Sequence, residues 1–388
     1  MSNPKLKYPL LPYSQLVYDS TRRMPMVYRF PMTFIWRGGA KEKDRIEHAI
    51  RTALANHPVF QMAVDWRGRH YPSSLKDILH GRYHDIELST QGEYVRITTQ
   101  FGRILGDGRS GQILIEDIQR AYAGLPLVSD DYWAYVEQYE QQKSNAHYHI
   151  SHDWLINEFA DESVPVRPTI DRPCIFTVLP PKAGLYYDDY TSMRKKILQL
   201  KENEYLTLDG FFSLCAALAI AEYCGTDEAA LTWAYEGRET PDEQRVFGSL
   251  HRDIPFRISR KSKVKSQKIA SREECIKEAR NQIRSGIAHS DYPYTLTYPY
   301  TKRWNYAVNV LNTTDLEDFL PTVDIPLVLE SEPEQKYAYA LLDIEILERT
   351  DNFRLRYRYS ATHYKESSIR RFAALVRQYA EWLVKDEN

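Results

Sequence analysis

The stretch QFGRILGDGRSG, residues 100–111, holds the most chemically suggestive residues of the chain. It follows Tyr94–Phe101, whose alternating pattern predicts a strand, and precedes Gln112–Tyr122, whose apolar spacing predicts a helix with Ser110 as its N-cap. The Gly106-Asp107-Gly108 turn between them is expected to use the positive φ that glycine allows. Loops of this kind often carry catalytic and binding residues, so this turn is the first candidate site.

Arg103, which precedes Asp107 on this loop, limits the chemistry that the loop can perform. A guanidinium offers five N–H donors and no acceptor, and its pKa lies above about 12. Near neutral pH it cannot take a proton from an attacking nucleophile, as an imidazole would. Two interpretations remain open for Arg103: it binds a carbonyl or carboxylate oxygen and stabilises negative charge there, or it forms a plain structural salt bridge.

Other polar clusters in the chain give weaker indications. His149 and Asp153 form an HxxxD pattern with His147 and His152 beside them, but no cysteine or suitably spaced carboxylate completes a metal ligand set. The glycines of residues 106–111 lack the spacing of a phosphate-binding loop. We therefore expect no metal site and interpret the histidines as a surface or interdomain cluster.

The length and charge of the chain restrict its class. A chain of 388 residues predicts two domains of roughly 150–200 residues each. Hydrophobic residues make up 43% and charged residues 27%, which is typical of a globular protein. The net charge is −2 with acids and bases interspersed, so we expect no nucleic-acid partner.

The cysteines and the apolar runs favour the cytoplasm. The four cysteines, Cys174, Cys215, Cys224 and Cys275, form no CxxC pair and are expected to be free thiols in a reducing compartment. The first residues contain no apolar block typical of a secretory signal. The longest apolar run, Phe211–Ala221, is shorter than the ~20 residues that span a bilayer, so it is predicted to be a core helix.

The periodicity of the remaining chain alternates between helices and strands, which predicts a mixed α/β fold. The predicted helices are Lys43–His57, Leu208–Tyr223, Cys275–Ile287 and Ser368–Val384. The predicted extended segments are Val59–Trp66, Leu231–Tyr235, Phe247–Ile258, Trp304–Leu311 and a hairpin of Tyr337–Leu347 with Asn352–Tyr359. Residues 155–185 are rich in proline and acid and are the best candidate for a domain boundary.

Six segments, in order along the chain, resemble motifs of the condensation domains of non-ribosomal peptide synthetases. They are YPLLPYSQLVYDS, IEHAIRTALANHPVFQMAV, GRILGDGRSGQILIEDIQRAY, LDGFFSLCAALAIAEYCG, YEGRETPDEQRVFGSLHRDIPFRI and AHSDYPY. The third is similar to the HHxxxDG motif of that family. The family belongs to the chloramphenicol acetyltransferase-like acyltransferase superfamily, and the resemblance covers nearly the whole chain.

The resemblance implies a fold and a division of the chain. The implied fold is α/β (an α+β sandwich), with two chloramphenicol-acetyltransferase-like lobes arranged in a V and a tunnel between them. The two substrates would enter that tunnel from opposite faces. We expect residues 1–170 to form the N-terminal lobe and residues 171–388 the C-terminal lobe.

The resemblance also assigns site residues, and here the chain departs from the family. The two histidines of HHxxxDG fall on Gly102 and Arg103, followed by Asp107 and Gly108 of the motif. The family uses the second histidine as general base or to position the attacking amine, so catalysis of that kind is in doubt. In the family the aspartate is structural and pairs with an arginine, for which Arg238 is the match.

Three further residues lie in matched segments. Asn309 corresponds to a strand that faces the site in the family, and it is either an oxyanion donor or an ordinary strand asparagine. His251 and His289 correspond to positions with no catalytic role in the family. The candidate catalytic residues are therefore Arg103, Asp107 and Asn309.

Two functions follow from the resemblance. The first is an acyltransferase that moves an acyl group from a thioester, carried by coenzyme A or by the phosphopantetheine of an acyl or peptidyl carrier protein, to a small-molecule amine or hydroxyl. No tightly bound cofactor is expected, because the thioester is a substrate. The second is a catalytically inactive module that binds a carrier protein or a partner enzyme.

Overall fold

The computed structural model describes most of the chain. The described residues are 7–23, 29–172, 181–262, 270–294, 307–312, 316–331, 336–338, 340–349 and 352–385. Cys174, Trp304 and residues 350–351, which lie between the two arms of the predicted hairpin, are outside the described residues.

The helices and strands alternate along the chain, as the periodicity predicts. The helices are α1 (Pro12–Arg23), α2 (Lys43–Asn56), α3 (Gly108–Tyr122), α4 (Tyr132–Gln142), α5 (Ala146–Phe159), α6 (Arg194–Glu204), α7 (Leu208–Cys224), α8 (Arg272–Ala288), α9 (Leu316–Phe319) and α10 (Glu366–Leu383). The strands are β1 (Tyr8–Pro9), β2 (Arg29–Trp36), β3 (Met62–Val64), β4 (Arg69–Pro72), β5 (His84–Gln91), β6 (Tyr94–Gly102), β7 (Ala183–Asp189), β8 (Glu228–Tyr235), β9 (Arg252–Ser259), β10 (Asn309–Asn312), β11 (Leu327–Ser331), β12 (Leu342–Glu348) and β13 (Phe353–Ser360).

The predicted strand Val59–Trp66 is shorter in the structure. Residues Pro58–Gln61 form a 3₁₀ turn that Pro58 begins, and only Met62–Val64 is extended and paired. Proline is well suited to the first position of a helical turn because its missing N–H has no partner to lose there. The prediction was therefore wrong for the first half of this segment.

The chain divides into two compact units, each discontinuous in sequence. Unit 1 consists of residues 1–144, 236–251 and 314–335, and unit 2 of residues 145–235, 252–313 and 336–388. The expected boundary at residue 170 differs from this division. The reason is that segments of the second half of the chain bind residues of the first half, which a linear pattern does not reveal.

Unit 1 contains a four-stranded antiparallel sheet in the order β11-β2-β6-β5 and a smaller sheet in the order β1-β4-β3. The edge strand β11 arrives from residues 327–331, far along the chain from β2. The hydrophobic core of the unit includes Trp36, Val95 and Ile113, which are all 0% exposed. This core anchors β6 and α3 at either end of the candidate loop.

Unit 2 contains a six-stranded mixed sheet in the order β7-β13-β12-β10-β8-β9. The central strand β10 is parallel to both neighbours, whereas the outer pairs are antiparallel. Pro255 lies in β9 at an edge of this sheet. An edge strand tolerates proline because one of its sides needs no N–H donor.

Helix α7 forms the centre of unit 2. Leu208 and all residues from 210 to 221 are buried, so the core helix predicted from the apolar run is confirmed. The helix begins at the cap Thr207 and ends at Gly225, whose φ is 68°, a left-handed conformation that favours glycine. In the described part of the chain, no individual helix meets the length and hydropathy criteria for a bilayer span, although the bent pair Thr191–Glu204 with Leu208–Cys224 meets them jointly.

The contact of α8 with β9 gives a test of the packing in unit 2. A Cβ on Gly286 would lie 2.4 Å from Cγ2 of Ile254, and a β-branched side chain has little freedom to move away. We expect Gly286→Ala to lower the thermal midpoint, because overpacking costs about 1–3 kcal/mol and exceeds the ~0.5–1 kcal/mol that alanine gains over glycine in a helix. Gly111→Ala in α3 is the control, since no atom lies within 4 Å of its added Cβ. A midpoint for Gly286→Ala equal to or above that of the native chain would contradict this packing.

Candidate functional site

The motif loop, residues 102–111, joins the end of β6 to the first turn of α3. Asp107 is the N-cap of α3: its Oδ1 accepts the N–H of Ser110 at 3.1 Å, and Oγ of Ser110 accepts the N–H of Asp107 at 3.2 Å. This reciprocal arrangement satisfies two N–H groups at the start of the helix. The prediction that Ser110 caps a helix beginning at Gln112 is therefore wrong, since α3 already begins at Gly108.

Glycine at position 106 is required by space rather than by a special backbone angle. Neither Gly106 nor Gly108 has a positive φ, so the expected positive-φ turn is not formed. A Cβ on Gly106 would lie 2.6 Å from Cβ of Ser110 and 3.1 Å from the ring of Phe247. Gly108 is exposed and has no atom within 4 Å of an added Cβ. Of these two glycines, Gly106 is the one that close packing requires.

Asp107 and Arg238 form a buried bidentate ion pair within unit 1. Nη1 and Nη2 of Arg238 donate to Oδ2 and Oδ1 of Asp107 at 2.9 Å and 3.0 Å. The side chain of Arg238 is 0% exposed and that of Asp107 is 7% exposed. Nη2 also donates to the carbonyl oxygens of Val246 at 3.2 Å and Gly248 at 3.1 Å. The planar fork of a guanidinium fixes direction as well as distance in such a pair.

The same carboxylate holds a further piece of backbone. Oδ2 of Asp107 accepts the N–H of Leu250 at 2.9 Å and the N–H of His251 at 3.2 Å. The Asp107 side chain therefore caps the start of α3, binds Arg238 and fixes the residues just before β9.

The segment 248–251 runs along the motif loop and binds it at further points. Oγ of Ser110 accepts the N–H of Gly248 at 3.1 Å, and Oγ of Ser249 donates to the carbonyl oxygen of Arg103 at 3.3 Å. These bonds fix the backbone of the segment relative to the loop.

The protonation state of Asp107 follows from its surroundings. Burial by itself would raise the pKa of this carboxyl group, but the charge and hydrogen bonds of Arg238 outweigh burial and hold the pKa below its usual value. The nearby imidazole of His251 and the N–H of Ser110 act in the same direction. Asp107 is therefore an anion at neutral pH and is suited to a structural role rather than to proton transfer.

Arg103 lies on the loop just after β6 and is half-buried. Its guanidinium carbon is 5.8 Å from the ring centroid of Tyr13 and 5.6 Å from that of Phe30. Cations at this distance are attracted to aromatic faces. The two rings thus help to place the guanidinium beside the motif loop.

His251, to which the sequence analysis gives no catalytic role, also lies beside the motif loop. Its ring meets that of Tyr13 edge-on at a centroid distance of 3.8 Å, and its Nδ1 lies 4.0 Å from Oδ2 of Asp107. A signal was present in the sequence, because His251 ends the short segment that also supplies Arg238. Because Arg238 and His251 belong to the same segment of unit 1, residues 236–251, the pairing of Arg238 with Asp107 also keeps His251 near the motif loop.

Asn309 lies in unit 2, at the start of β10. Its amide nitrogen donates to Asp253 at 3.0 Å, and its amide oxygen accepts the hydroxyl of Thr232 at 3.2 Å. The structure thus gathers Arg103, Asp107, Gly108 and Arg238 in unit 1 and places Asn309 in the other unit. The catalytic roles expected for these residues remain predictions.

The histidines around His149 belong to unit 2. His147 lies 3.0 Å from Asp291, and Oγ of Ser151 donates to Asp291 at 2.6 Å. His152 lies 2.9 Å from its neighbour Asp153. Among the described residues no group of three or more His, Cys, Asp or Glu side chains is arranged to hold a metal ion.

The Asp107–Arg238 pair makes a prediction about stability. We expect Arg238→Ala to lower the free energy of unfolding by about 3–5 kcal/mol, because it leaves a buried carboxylate without its partner. Adding Asp107→Asn to this variant should recover part of the loss, since the abandoned charge is removed. Urea unfolding measures both effects. Lys261→Ala, which breaks an exposed pair with Asp227, is the control and should change little. Equal losses for Arg238→Ala and Lys261→Ala would contradict the importance of the buried pair.

The lowered pKa of Asp107 makes a prediction about acid stability. A carboxyl group whose pKa is depressed in the folded state stabilises the protein above its unfolded pKa of about 3.9 and loses that contribution as pH falls through the folded value. The difference in unfolding free energy between the native chain and Asp107→Asn should therefore be constant near neutrality and shrink below about pH 4. Urea titrations at a series of pH values test this. A difference that is unchanged in acid would rule out a depressed pKa.

Comparisons with known proteins agree with this architecture. The sequence matches the family model of the condensation domain over residues 94–387. No curated protein matches the sequence. One similar solved structure is the complex of the X-domain and OxyB from teicoplanin biosynthesis, at TM-score 0.75 and 14% identity, covering 99% of this chain and 94% of that chain.

Two further structures share the fold. The epimerization domain from the third module of tyrocidine synthetase B matches at TM-score 0.73 and 14% identity, covering 99% of both chains. A mutant starter condensation domain of rhizomide synthetase, solved with C8-CoA, matches at TM-score 0.72 and 12% identity, covering 97% of this chain and 94% of that chain. These likenesses confirm the mixed α/β fold that the motifs imply. Since the family model spans more than half of the residues, the chain belongs to the condensation domain family.

Proposed function

We propose that the protein is an acyltransferase of the condensation-domain type that moves an acyl group from a thioester to an amine or hydroxyl. The observation that carries the proposal is the intact motif loop. Asp107, buried and bound to Arg238 at 2.9 Å and 3.0 Å, keeps the loop geometry although both histidines of the motif are absent. Burying the charges of Asp107 and Arg238 costs solvation free energy, and the ion pair offsets that cost only when its hydrogen-bond geometry is good.

The reaction needs stabilisation of charge on the thioester carbonyl. The nucleophile forms a bond to the carbonyl carbon, the carbon–sulfur bond breaks, and the thiol leaves with the proton that the nucleophile loses. Negative charge develops on the carbonyl oxygen in the transition state, and a positioned donor there is worth about 10²–10³-fold in rate. The guanidinium of Arg103 has donors suited to this oxygen. The role of an amide donor for Asn309, whose side chain is oriented within unit 2 by Asp253 and Thr232, stays a separate prediction.

The acyl donor is proposed to be a thioester of coenzyme A or of a carrier protein's phosphopantetheine arm, and the acceptor a small-molecule amine or alcohol. The similar starter condensation domain of rhizomide synthetase was solved with C8-CoA, which supports a thioester donor.

The cysteines that the structure describes, Cys215, Cys224 and Cys275, are free thiols. Free thiols support a reducing compartment such as the cytoplasm.

A second candidate function is a binding module without catalysis, for a carrier protein or a partner enzyme. The replacement of the motif's second histidine by Arg103 favours it, because a guanidinium cannot accept a proton. The similar X-domain was solved in complex with OxyB, which supports the idea that this fold can serve as a docking surface. The two functions differ in whether a thioester is consumed.

Thioester consumption by the purified chain tests the proposal. Acyl-coenzyme A and acyl-pantetheine donors of several chain lengths are incubated with amines and alcohols, and free thiol and acylated product are measured. We expect turnover by the native chain and a loss of about 10²–10³-fold in kcat/KM for Arg103→Ala. Arg109→Ala is the matched control on the same loop, since its side chain binds Gln112 and Glu116 on α3.

Two results would overturn the proposal. Absence of turnover with every donor would favour the binding module. Turnover that Arg103→Ala leaves unchanged would remove Arg103 from the reaction.

A further inference from the structure

A buried histidine of unit 1 lies outside the motif loop, between two acids. His57 is the C-cap of α2, and its side chain is 1% exposed. Nδ1 of the ring lies 2.8 Å from Oδ2 of Asp130, and Nε2 lies 3.2 Å from Oδ2 of Asp117. The side chains of both acids are 0% exposed. Each nitrogen of this imidazole is therefore in contact with a buried carboxyl group.

The two acids also bind a remote part of the chain. Oδ2 of Asp130 accepts the N–H of Phe247 at 3.2 Å, and Nη2 of Arg245 donates to Oδ1 of Asp117 at 2.6 Å. Phe247 and Arg245 belong to the segment 236–251, which is part of unit 1. The acids that contact the imidazole therefore connect this segment to the first half of the chain.

The charged groups around the ring favour its cationic form. Among the described residues, those that face or adjoin it are Asp117 on α3, Asp130 before α4, and Arg245, which pairs with Asp117 and Glu116. A neutral imidazole donates from one nitrogen only and turns a lone pair toward the other acid, whereas an imidazolium donates from both nitrogens. The C-terminal end of a helix, here α2, also favours a cation.

Burial and charge act on His57 in opposite directions. Burial by itself would lower the pKa of this imidazole, but the hydrogen bonds and charges of Asp117 and Asp130 outweigh burial and raise the pKa above its usual value. His70 is buried in the same unit, and its Nε2 lies 3.3 Å from the hydroxyl of Tyr132. There burial lowers the pKa to about 4. The acids, and not the depth of the ring, therefore distinguish His57.

The acids in turn depend on the cation between them. Burial would raise the pKa of Asp117, but the bonds and charges of His57 and Arg245 outweigh it and lower the pKa. Burial raises the pKa of Asp130, although His57 and two backbone N–H groups oppose the rise. Loss of the proton from His57 would leave two buried acids without their shared cation, which is costly.

We infer that the protonated ring of His57, with its two acids, forms a pH-sensitive latch that holds the segment 236–251 in place. While the ring is an imidazolium, the acids are fixed and bind Arg245 and Phe247 of the segment. Loss of the ring proton at higher pH removes the cation that the acids share and loosens the segment.

The latch also affects the motif loop. The segment 236–251 carries Arg238, whose buried pair with Asp107 holds that loop. A loosened segment therefore weakens the support of the loop. The inference does not depend on the proposed acyl transfer, because it concerns the folded chain alone.

The pH dependence of unfolding tests the latch. A group whose pKa is raised by folding gives stability that is complete below its unfolded pKa, about 6.5 for histidine, and is lost as pH rises through the folded value. Urea unfolding of the native chain and of His57→Gln is measured from about pH 6 to about pH 9. We expect the difference between them to be largest near pH 6 and to shrink above it, by up to about tenfold in the unfolding equilibrium constant per pH unit.

The control for this measurement is His48→Ala, which replaces an exposed histidine on the same helix α2. Its difference from the native chain should be small and independent of pH. A difference between the native chain and His57→Gln that stays constant over the whole range would overturn the inference.

The native chain itself gives a direct measurement, which serves even if His57→Gln does not fold. NMR of ¹⁵N-labelled histidine rings distinguishes a ring with protons on both nitrogens from a neutral ring. We expect His57 to stay doubly protonated above about pH 6.5, where an ordinary histidine is losing its proton. Its signals are assigned by their change in Arg245→Lys, which keeps a cation near Asp117. A neutral His57 ring at or below that pH would contradict the latch.

Hydrogen exchange tests whether the charge holds the segment. The protection of the amides of residues 245–250, corrected for the intrinsic effect of pH on exchange, is compared with that of α7 in the other unit. We expect the ratio to fall as pH rises in the native chain and to be low at every pH in His57→Gln. A ratio that does not change with pH in the native chain would show that the imidazolium does not hold the segment. Neither result depends on thioester consumption, so the acyltransferase proposal is tested separately.

Discussion

The buried carboxylate of Asp107 is the constraint on which the candidate site depends. It caps the start of α3 through Ser110, binds both terminal nitrogens of Arg238, and accepts the backbone N–H groups of Leu250 and His251. Three stretches that are remote in sequence meet at one side chain. An unpaired carboxylate buried to this extent would be strongly unfavourable. The structure of the motif loop therefore depends on Arg238 and on the segment before β9.

The contacts that hold the motif loop are different from those that the side chain of Arg103 makes. The contacts that hold the loop involve the backbone of Arg103 and the side chains of Asp107, Ser110 and Arg238. None of these contacts requires an imidazole at position 103. These contacts would therefore be kept with another side chain at position 103. In the proposed reaction the guanidinium stabilises negative charge on the carbonyl oxygen.

The sequence predicted local features well and non-local ones poorly. The apolar run at Phe211–Ala221 predicts a core helix because its residue types leave no polar face to expose, and α7 is buried as expected. The pairing of Asp107 with Arg238 came from resemblance to a family motif, since the residues are 131 positions apart. The helix cap was misassigned because serine and aspartate both suit that position, and only tertiary contacts decide between them. The position of His251 beside Tyr13 and Asp107 is likewise a tertiary contact that the local sequence does not reveal.

The discontinuity of unit 1 affects how the protein folds during translation. Asp107 leaves the ribosome 131 residues before its partner Arg238, which at typical synthesis rates of 5–20 residues per second is an interval of roughly 7–26 s. The interval between the synthesis of β2 and that of its outer neighbour β11 is longer still, because β11 begins only at Leu327. During this interval the nascent chain carries an unneutralised carboxylate and an unpaired strand edge, and open edges promote association with other chains. The edge of β2 therefore stays unpaired until β11 has been synthesised.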